Sequence, residues 1–256
     1  MILEVNNLSF SYHHRKTIFR GVDFTVAKGE ILSILGPNGS GKTTLLNCLA
    51  NLYSPDSGEI LLNGRPMSRM SLRQVARVIG YVPQIHTPAY AFSVREFAVM
   101  GRTPYIGAFT MPGAEDYRIA DEALERMGIA HLRDKPYTEI SGGERQQVTI
   151  ARVIAQKPQL ILLDEPTAHL DYGNQHRVVQ MVRELAAEGY ALIMTTHNPD
   201  HAIILNGKVA ILNREGVLSV GRAAEIVSAE RLSNLYGLSI KTIYDDDAER
   251  TICVVY

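Results

Sequence analysis

The residues whose chemistry is easiest to interpret form a glycine-rich loop that ends in a lysine and two hydroxyls, directly after the apolar stretch Ile31 to Leu35. Glycines let the backbone curl so that successive N–H groups point inward, and the helix that follows would present its positive end to the same anion. Lys42 would reach the β- and γ-phosphates of a nucleotide, while the Thr43 hydroxyl is placed to bind Mg²⁺. The predicted phosphate-binding loop consists of Gly36, Pro37, Asn38, Gly39, Ser40, Gly41, Lys42, Thr43 and Thr44.

A second reactive group is a pair of carboxylates, Asp164 and Glu165, which follows the apolar run Leu160 to Leu163. Such a run suits a buried strand that delivers the two acids at its carboxyl end. Asp164 would hold Mg²⁺, either directly or through water. Because side chains alternate along a strand, Glu165 points elsewhere and is free to accept a proton from an attacking water. Beside the phosphate-binding loop, the pair predicts nucleotide hydrolysis and not binding alone.

The segment Ile140 to Gln147, ISGGERQQ, lies between the loop and the acidic strand. Ser141 is a natural N-cap, Gly142 and Gly143 allow close backbone approach, and Glu144 to Gln156 contains helix-compatible residues without proline. With this segment the chain resembles the ATP-binding cassette (ABC) family, the ATPase subunits of ABC transporters. In that family the equivalent serine and glycines cap the γ-phosphate of a nucleotide bound to the partner subunit. The resemblance implies ATP and Mg²⁺ as cofactors and a homodimer of ATPase subunits.

Four further residues match the family singly. Gln84 ends the strand-like IGYVPQ, and in the family such a glutamine touches Mg²⁺ and the lytic water. His197 follows the apolar run Ala191 to Thr196, where the family's histidine contacts the γ-phosphate. Asp171 matches a loop that crosses the dimer interface. Tyr12 would stack on adenine as an aromatic platform, the alternative being a half-buried strand tyrosine.

One position departs from the family's commonest pattern. Many relatives carry a serine and an alanine where this chain has Ala168 and His169. The departure leaves the prediction of hydrolysis intact, but it affects the contacts expected between subunits. A titrating His169 would make closure of the dimer sensitive to pH.

Periodicity predicts an α/β fold, and the resemblance implies its organisation: a P-loop NTPase parallel sheet core, an antiparallel β subdomain and an inserted α-helical subdomain. Alternating segments predict the antiparallel layer, at Leu8 to Tyr12, Val22 to Val26 and Glu59 to Leu62. Continuous apolar strands predict the parallel sheet behind the phosphates, at 31 to 35, 160 to 163 and 191 to 195. A helix from Asn198 into Ile204 and a strand at Lys208 to Leu212 would follow.

The helical subdomain is expected at approximately residues 86–157 of a single nucleotide-binding domain that spans 1–256. Within it, Ser93 to Gly101 and Ala114 to Met127 have helical patterns, the second with Ile119, Ala123 and Leu124 on one face. This subdomain would carry the segment that contains Ser141. At 46% hydrophobic residues, a chain of 256 can bury a substantial core.

Composition limits the partners and the compartment. The chain has 26 basic and 27 acidic residues and a net charge of −1, so nucleic acid is not an expected partner. Cys48 and Cys253 lack metal-site spacing, and the N-terminal segment lacks the pattern of a signal peptide. Since no apolar run approaches the roughly 20 residues that cross a bilayer, the membrane spans would come from another chain. We expect a peripheral subunit on the cytoplasmic face of the membrane.

The run Met100 to Gly107, MGRTPYIG, resembles the importer branch that handles ferric siderophores, haem, cobalamin and related metal or oxyanion compounds. The resemblance implies a multi-span membrane permease, in two copies, and indirectly a substrate-binding protein. Tyr90 and Phe92, in the loop after Gln84, would either contact a short helix of the permease or pack within the helical subdomain. The transported compound is not encoded in this chain.

Other function classes remain as alternatives. The chain could serve another importer or an exporter, or it could be an ABC protein without a transport role. The last class would need a long coiled-coil insertion or two cassettes, and neither is present in the sequence. A binding module without turnover would lack Glu165 or His197. A GTPase is disfavoured because no NKxD-type sequence occurs.

Overall fold

The computed structural model describes residues 1–13, 16–84, 90–107, 109–168 and 170–256. Its strands are β1 (Leu3–Tyr12), β2 (Lys16–Val26), β3 (Ile31–Leu35), β4 (Ser57–Leu62), β5 (Arg65–Pro66), β6 (Ile79–Val82), β7 (Leu160–Leu163), β8 (Ala191–Thr196), β9 (Lys208–Leu212), β10 (Leu218–Arg222), β11 (Ile240–Asp245) and β12 (Arg250–Val255). Its α-helices are α1 (Lys42–Leu49), α2 (Leu72–Ala76), α3 (Val94–Val99), α4 (Ala114–Arg126), α5 (Gly142–Ala155), α6 (Tyr172–Ala187), α7 (Pro199–Leu205), α8 (Ala223–Ile226) and α9 (Ala229–Tyr236).

The antiparallel sheet has the strand order β2-β1-β4-β5. The three alternating segments predicted from the sequence lie in β1, β2 and β4, and each strand begins before its alternating segment. Apolar side chains from one face of this sheet, among them Leu3, Phe19 and Ile60, pack in the same core cluster as α1 and part of the parallel sheet. The antiparallel sheet therefore flanks the helix that follows the phosphate-binding loop.

The second sheet has the order β10-β9-β3-β8-β7-β6, and only β10 pairs antiparallel to its neighbour. β3, β7 and β8 are fully buried, which explains their continuous apolar sequence. Leu35 at the end of β3 lies in register with Thr196 at the end of β8. The loop Gly36–Thr44, Asp164 and His197 each follow directly after one of these strands. The topology therefore collects them at a single edge of the sheet.

Helices α3, α4 and α5 lie between β6 and β7 in the chain and share one apolar cluster. The predicted helix at 93–101 ends as α-helix at Val99 and continues as a 3₁₀ helix, Met100–Tyr105, which contains Pro104. A proline removes a helical N–H donor and restricts the residue before it, so a regular α-helix does not continue through this segment. In α4, Ile119 and Leu124 are buried as predicted.

The C-terminal part contains structure that the sequence analysis did not predict. β11 and β12 form an antiparallel hairpin, and Ile240 and α9 contribute to a small apolar cluster with β9 and α7. The acidic triplet that begins at Asp245 lies at the turn of this hairpin, where the Asp245 carboxylate accepts a hydrogen bond from the Ala248 N–H at 2.7 Å.

Candidate functional site

The phosphate-binding loop passes directly from β3 into α1. Gly41 has φ 102°, a left-handed conformation that favours glycine, and a Cβ there would lie 2.5 Å from the Ile18 side chain. No side chain caps the start of α1, and its first turn contains no acidic residue. The free N–H groups and the positive end of the helix therefore face the loop, which favours an anion at this position.

The interior of the loop also has an unsatisfied polar atom. Among the described residues Ser40 Oγ is buried without a hydrogen-bond partner. A Cβ on Gly36 would lie 2.6 Å from this oxygen and 2.5 Å from the Leu212 carbonyl oxygen, so only glycine fits there. A buried hydroxyl without a partner is costly unless a ligand satisfies it. A phosphate oxygen would supply that partner.

Lys42 occupies the centre of the loop and is only 5% exposed. Its ammonium group donates to the carbonyl oxygens of Gly36 at 2.8 Å and Pro37 at 3.1 Å. It also forms an ion pair with Glu165, at 3.1 Å from Nζ to Oε1. The two residues that the sequence placed in separate motifs are therefore in direct contact.

Thr195 on β8 holds both acidic residues in place. Its hydroxyl donates to Asp164 Oδ1 at 2.7 Å and accepts the backbone N–H of Glu165 at 2.8 Å. Glu165 has φ 43°, which is unusual for a residue with a side chain. Such a conformation costs energy and persists where the surroundings fix it, as is common at functional sites. The turn sends the two carboxylates to different partners, as the sequence predicted.

The Glu165 carboxylate contacts Gln84 and His197 through its second oxygen. The distance from Oε2 is 3.2 Å to His197 Nδ1 and 3.4 Å to Gln84 Nε2. The glutamate side chain is 10% exposed, whereas the His197 side chain is 53% exposed. The carboxylate is thus connected to a cation on one side and to two polar groups that border solvent on the other. A water at this border would find an acceptor in Glu165.

Three residues offer oxygen atoms for a cation near the loop: Thr43, Gln84 and Asp164. Thr43 is exposed at the start of α1, and the Gln84 amide donates from its nitrogen to Glu165. Asp164 is 1% exposed and accepts from Thr195 and, at 3.4 Å, from the Tyr81 hydroxyl. Burial and Asp164 raise the pKa of Tyr81, so the phenol stays protonated as a donor.

Tyr12 lies beside α1, where its hydroxyl is 3.1 Å from Thr44 Oγ1. Its ring meets Phe10 edge to face at 5.1 Å and Tyr53 at 6.1 Å. Both tyrosines are partly exposed, at 38% and 39%. Stacking of adenine on Tyr12 stays a prediction, and the cluster adds Tyr53 as a second candidate that no sequence pattern indicated.

Ser141, Gly142, Gly143 and Asp171 lie together in a different place. Ser141 caps α5, and its backbone N–H donates to Glu144 at 2.7 Å in a reciprocal capping box. Hydrogen bonds with Ser141 lower the pKa of Glu144. Asp171 caps α6, and a cavity of about 480 Å³ is lined by Ser141, Gly143 and Asp171 among others. Within the part of the chain that the structure describes, no hydrogen bond or ion pair joins this group to the phosphate-binding loop.

Thr195, Tyr81 and Tyr53 are site residues that sequence reasoning missed. A signal existed for Thr195, because parallel pairing of β7 and β8 places Leu163 opposite Met194 and hence Asp164 beside the next residue. His169, for which a pH effect was predicted, lies outside the described residues. Residues 85–89, the first part of the loop after Gln84, also lie outside them.

Across the described ranges of the chain, no helix combines the length and the apolar character needed to cross a bilayer.

Comparisons with known proteins agree on one family. A family model described as ABC transporter matches residues 19–168. The molybdate import ATP-binding protein MolC of Haemophilus influenzae is 36% identical over 92% of this chain and 88% of its own length. The iron(3+)-hydroxamate import ATP-binding protein FhuC of Bacillus subtilis is 31% identical over 99% and 94%. A solved structure described as a metal-chelate type ABC transporter in an inward-facing conformation has a TM-score of 0.88, with 34% identity and coverage of 100% and 97%.

Proposed function

Because this chain belongs to the ABC transporter family of ATP-binding subunits, we propose that it hydrolyses ATP to drive import of a metal chelate through a separate membrane permease. The observation that carries the proposal is the Glu165 carboxylate, which contacts Lys42 through one oxygen and His197 and Gln84 through the other. This arrangement supports the role of Glu165 as a base, because the carboxylate lies between the Lys42 ammonium group and two groups that can orient water.

We assign ATP binding to the loop Gly36–Thr44 and α1. The free helix N-terminus, the Lys42 ammonium group and the unpartnered Ser40 hydroxyl all suit phosphate oxygens. Tyr12, beside Thr44, is the proposed platform for adenine. Its partly exposed ring supports this assignment, because a base can reach one face without displacing the core.

The oxygen atoms of Thr43, Gln84 and Asp164 are the ligand type that Mg²⁺ prefers. We infer that these residues hold Mg²⁺ together with the nucleotide. The described residues include no group of three or more His, Cys, Asp or Glu side chains suited to a metal, in keeping with a site that phosphates complete. When bound, Mg²⁺ would neutralise the charge that develops on the phosphates during hydrolysis.

In the proposed reaction Glu165 accepts a proton from the attacking water. His197 and Gln84 orient the water and the carboxylate, and Lys42 stabilises charge on the γ-phosphate. Thr195 fixes the backbone of Glu165, so the base does not need to reorganise during the reaction. General-base catalysis of this kind contributes roughly 10²- to 10⁴-fold.

We further propose that two copies complete each ATP site. The group that contains Ser141, Gly142, Gly143 and Asp171 is largely exposed and separate from the loop of its own chain. The start of α5 offers its positive helix end to an anion held by another subunit. ATP would then join two chains head to tail, and hydrolysis would release them.

Within this scheme residues 1–256 form a single nucleotide-binding domain, and residues 86–157 form its inserted helical subdomain. The packing of α3, α4 and α5 into a core shared with β7 and β8 supports this division. Importer ATP-binding subunits work with a membrane permease, and peripheral attachment at the cytoplasmic face is the proposed location. Tyr90 and Phe92 are 72% and 40% exposed, which favours permease contact over packing within the subdomain.

The transported compound is proposed from the relatives, whose names include molybdate and iron-hydroxamate import. Metal chelates are the first candidate because the solved neighbour is of the metal-chelate type. Co-purification of the tagged chain with a multi-span permease, followed by ATP-driven uptake in proteoliposomes, tests the proposal. Uptake of a ferric siderophore, haem or cobalamin is the expected result, and molybdate would favour the oxyanion alternative. A protein that neither hydrolyses ATP nor binds a permease would contradict the proposal.

A further inference from the structure

The backbone at His197 is tied to the C-terminal part of the chain. His197 follows the last residue of β8, and Pro199 begins α7, so this short turn carries the imidazole. The hydroxyl of Tyr236, the last residue of α9, donates to the His197 carbonyl oxygen at 2.8 Å. A segment 39 residues further along the chain therefore holds the turn directly.

A second tie holds the same turn from β12. The Asp200 carboxylate accepts the backbone N–H of Cys253 at 3.2 Å. Asn198 caps α7 by accepting the Asp200 N–H at 2.9 Å. The turn is thus fixed to α9 on one side of Pro199 and to β12 on the other.

The Tyr236 ring is itself fixed by packing. It lies against the C-terminal apolar cluster, which includes Leu35, the residue before the phosphate-binding loop, and Ala202 on α7. Burial raises the pKa of Tyr236, and the nearby Cys253 and Glu165 add to this effect. The phenol therefore remains protonated at neutral pH, and only the protonated form donates to a carbonyl.

We propose that Tyr236 is a positioning residue for ATP hydrolysis, because its hydroxyl fixes the turn that presents His197 to Glu165. The inference rests on the proposed function, since it assigns Tyr236 a task in the proposed ATP hydrolysis. Tyr236 lies outside the phosphate-binding loop and outside the pair Asp164 and Glu165. His197 Nδ1 contacts Glu165 Oε2 at 3.2 Å from a side chain that is half exposed, so its own surroundings restrain it weakly. The restraint on its backbone then decides how often the imidazole meets the carboxylate.

The test is Tyr236→Phe in the full chain, with Tyr244→Phe as the matched control. The Tyr244 side chain is exposed on β11, and its hydroxyl has no described partner. Loss of one hydrogen bond predicts a fall in kcat of about three- to tenfold for Tyr236→Phe. The KM for ATP is expected to change by less than about twofold, because the described hydrogen bond of Tyr236 goes to the His197 carbonyl oxygen and not to the phosphate-binding loop. Tyr244→Phe is expected to match the parent in both.

The NMR resonance of the His197 imidazole gives a second readout. This resonance would not shift if Tyr236 only stabilised the fold. The His197 imidazole resonance, assigned with His197→Ala, is expected to shift in Tyr236→Phe and to stay in place in Tyr244→Phe. A parental kcat, an unmoved resonance, or a fall in kcat matched by an equal loss of ATP affinity would each overturn the inference. If the parent protein does not hydrolyse ATP, the proposed function fails and this inference fails with it. An active parent with an equally active Tyr236→Phe variant overturns the inference alone.

Discussion

Lys42 and Glu165 form a buried ion pair, with 3.1 Å between Nζ and Oε1 and side chains that are 5% and 10% exposed. Two opposite charges out of water stabilise each other, and removal of either leaves the other uncompensated. The pair also connects phosphate binding with proton transfer, because Lys42, the proposed phosphate-binding cation, contacts Glu165, the proposed base. Substitutions at the two positions should therefore have opposite effects on ATP affinity.

Glu165→Gln should reduce the ATPase rate by at least about 100-fold, because an amide of equal size cannot accept the proton. ATP affinity should be retained or increased, since a negative charge beside the triphosphate is removed. Steady-state ATPase assays and calorimetric titration measure the two quantities, and Glu59→Gln, at an exposed position of β4, is the control. Retention of the parental ATPase rate would remove Glu165 from the mechanism.

Lys42→Ala should lower ATP affinity at least about tenfold, because charge-assisted hydrogen bonds contribute about 1.5–3 kcal/mol. The substitution also leaves Glu165 without its cation, which adds repulsion toward phosphate. Titration with a fluorescent ATP analogue measures the change, with the exposed Lys135→Ala as control. Parental affinity in Lys42→Ala would show that Gly36–Thr44 is not the phosphate-binding loop.

Tyr12→Phe and Tyr12→Ala separate two roles of this residue. If the ring stacks on adenine, Phe should keep ATP affinity and Ala should lose it by about two- to tenfold, as expected for aromatic pairs of 0.5–1.5 kcal/mol. The measurement is the Kd for ATP against that for inorganic triphosphate, which lacks the base. An equal loss in both variants would assign the effect to the hydroxyl bond with Thr44 instead.

Thr195→Val should destabilise the fold, because the methyl group replaces a hydroxyl that serves both Asp164 and the Glu165 N–H. Two buried groups would lose their partner, and we expect the free energy of unfolding to fall by about 2 kcal/mol or more. Urea denaturation measures the change. Thr195→Ser keeps the hydroxyl and should preserve most of the stability, so equal destabilisation by Ser would point to packing.

The sequence was sufficient to predict the parallel strands, because β3, β7 and β8 are buried on both faces and therefore read as continuous apolar runs. Gly36, Asp164 and His197 each follow one of these strands in the sequence, and residues that follow parallel strands meet at one edge of the sheet. The predicted helix at 93–101 is present, but the sequence analysis did not anticipate that its end is a 3₁₀ helix, Met100–Tyr105, which contains Pro104.

Other contacts could not be predicted because they join distant segments. The Tyr236 hydroxyl reaches the His197 carbonyl only through packing of α9. The Lys42–Glu165 pair depends on the left-handed backbone of Glu165, a conformation that residue type alone does not indicate. The Tyr53 ring packs edge to face against Tyr12, a contact that the hydrophobic periodicity of the sequence does not predict.

In the proposed function, two copies of the chain complete each ATP site. The decisive measurement is specific ATPase activity at a series of protein concentrations, with sedimentation of the same samples. If two copies share each site, activity per chain rises with protein concentration, and an ATP-dependent dimer forms over the same range. A monomer that hydrolyses ATP at a constant rate per chain across that range would contradict it.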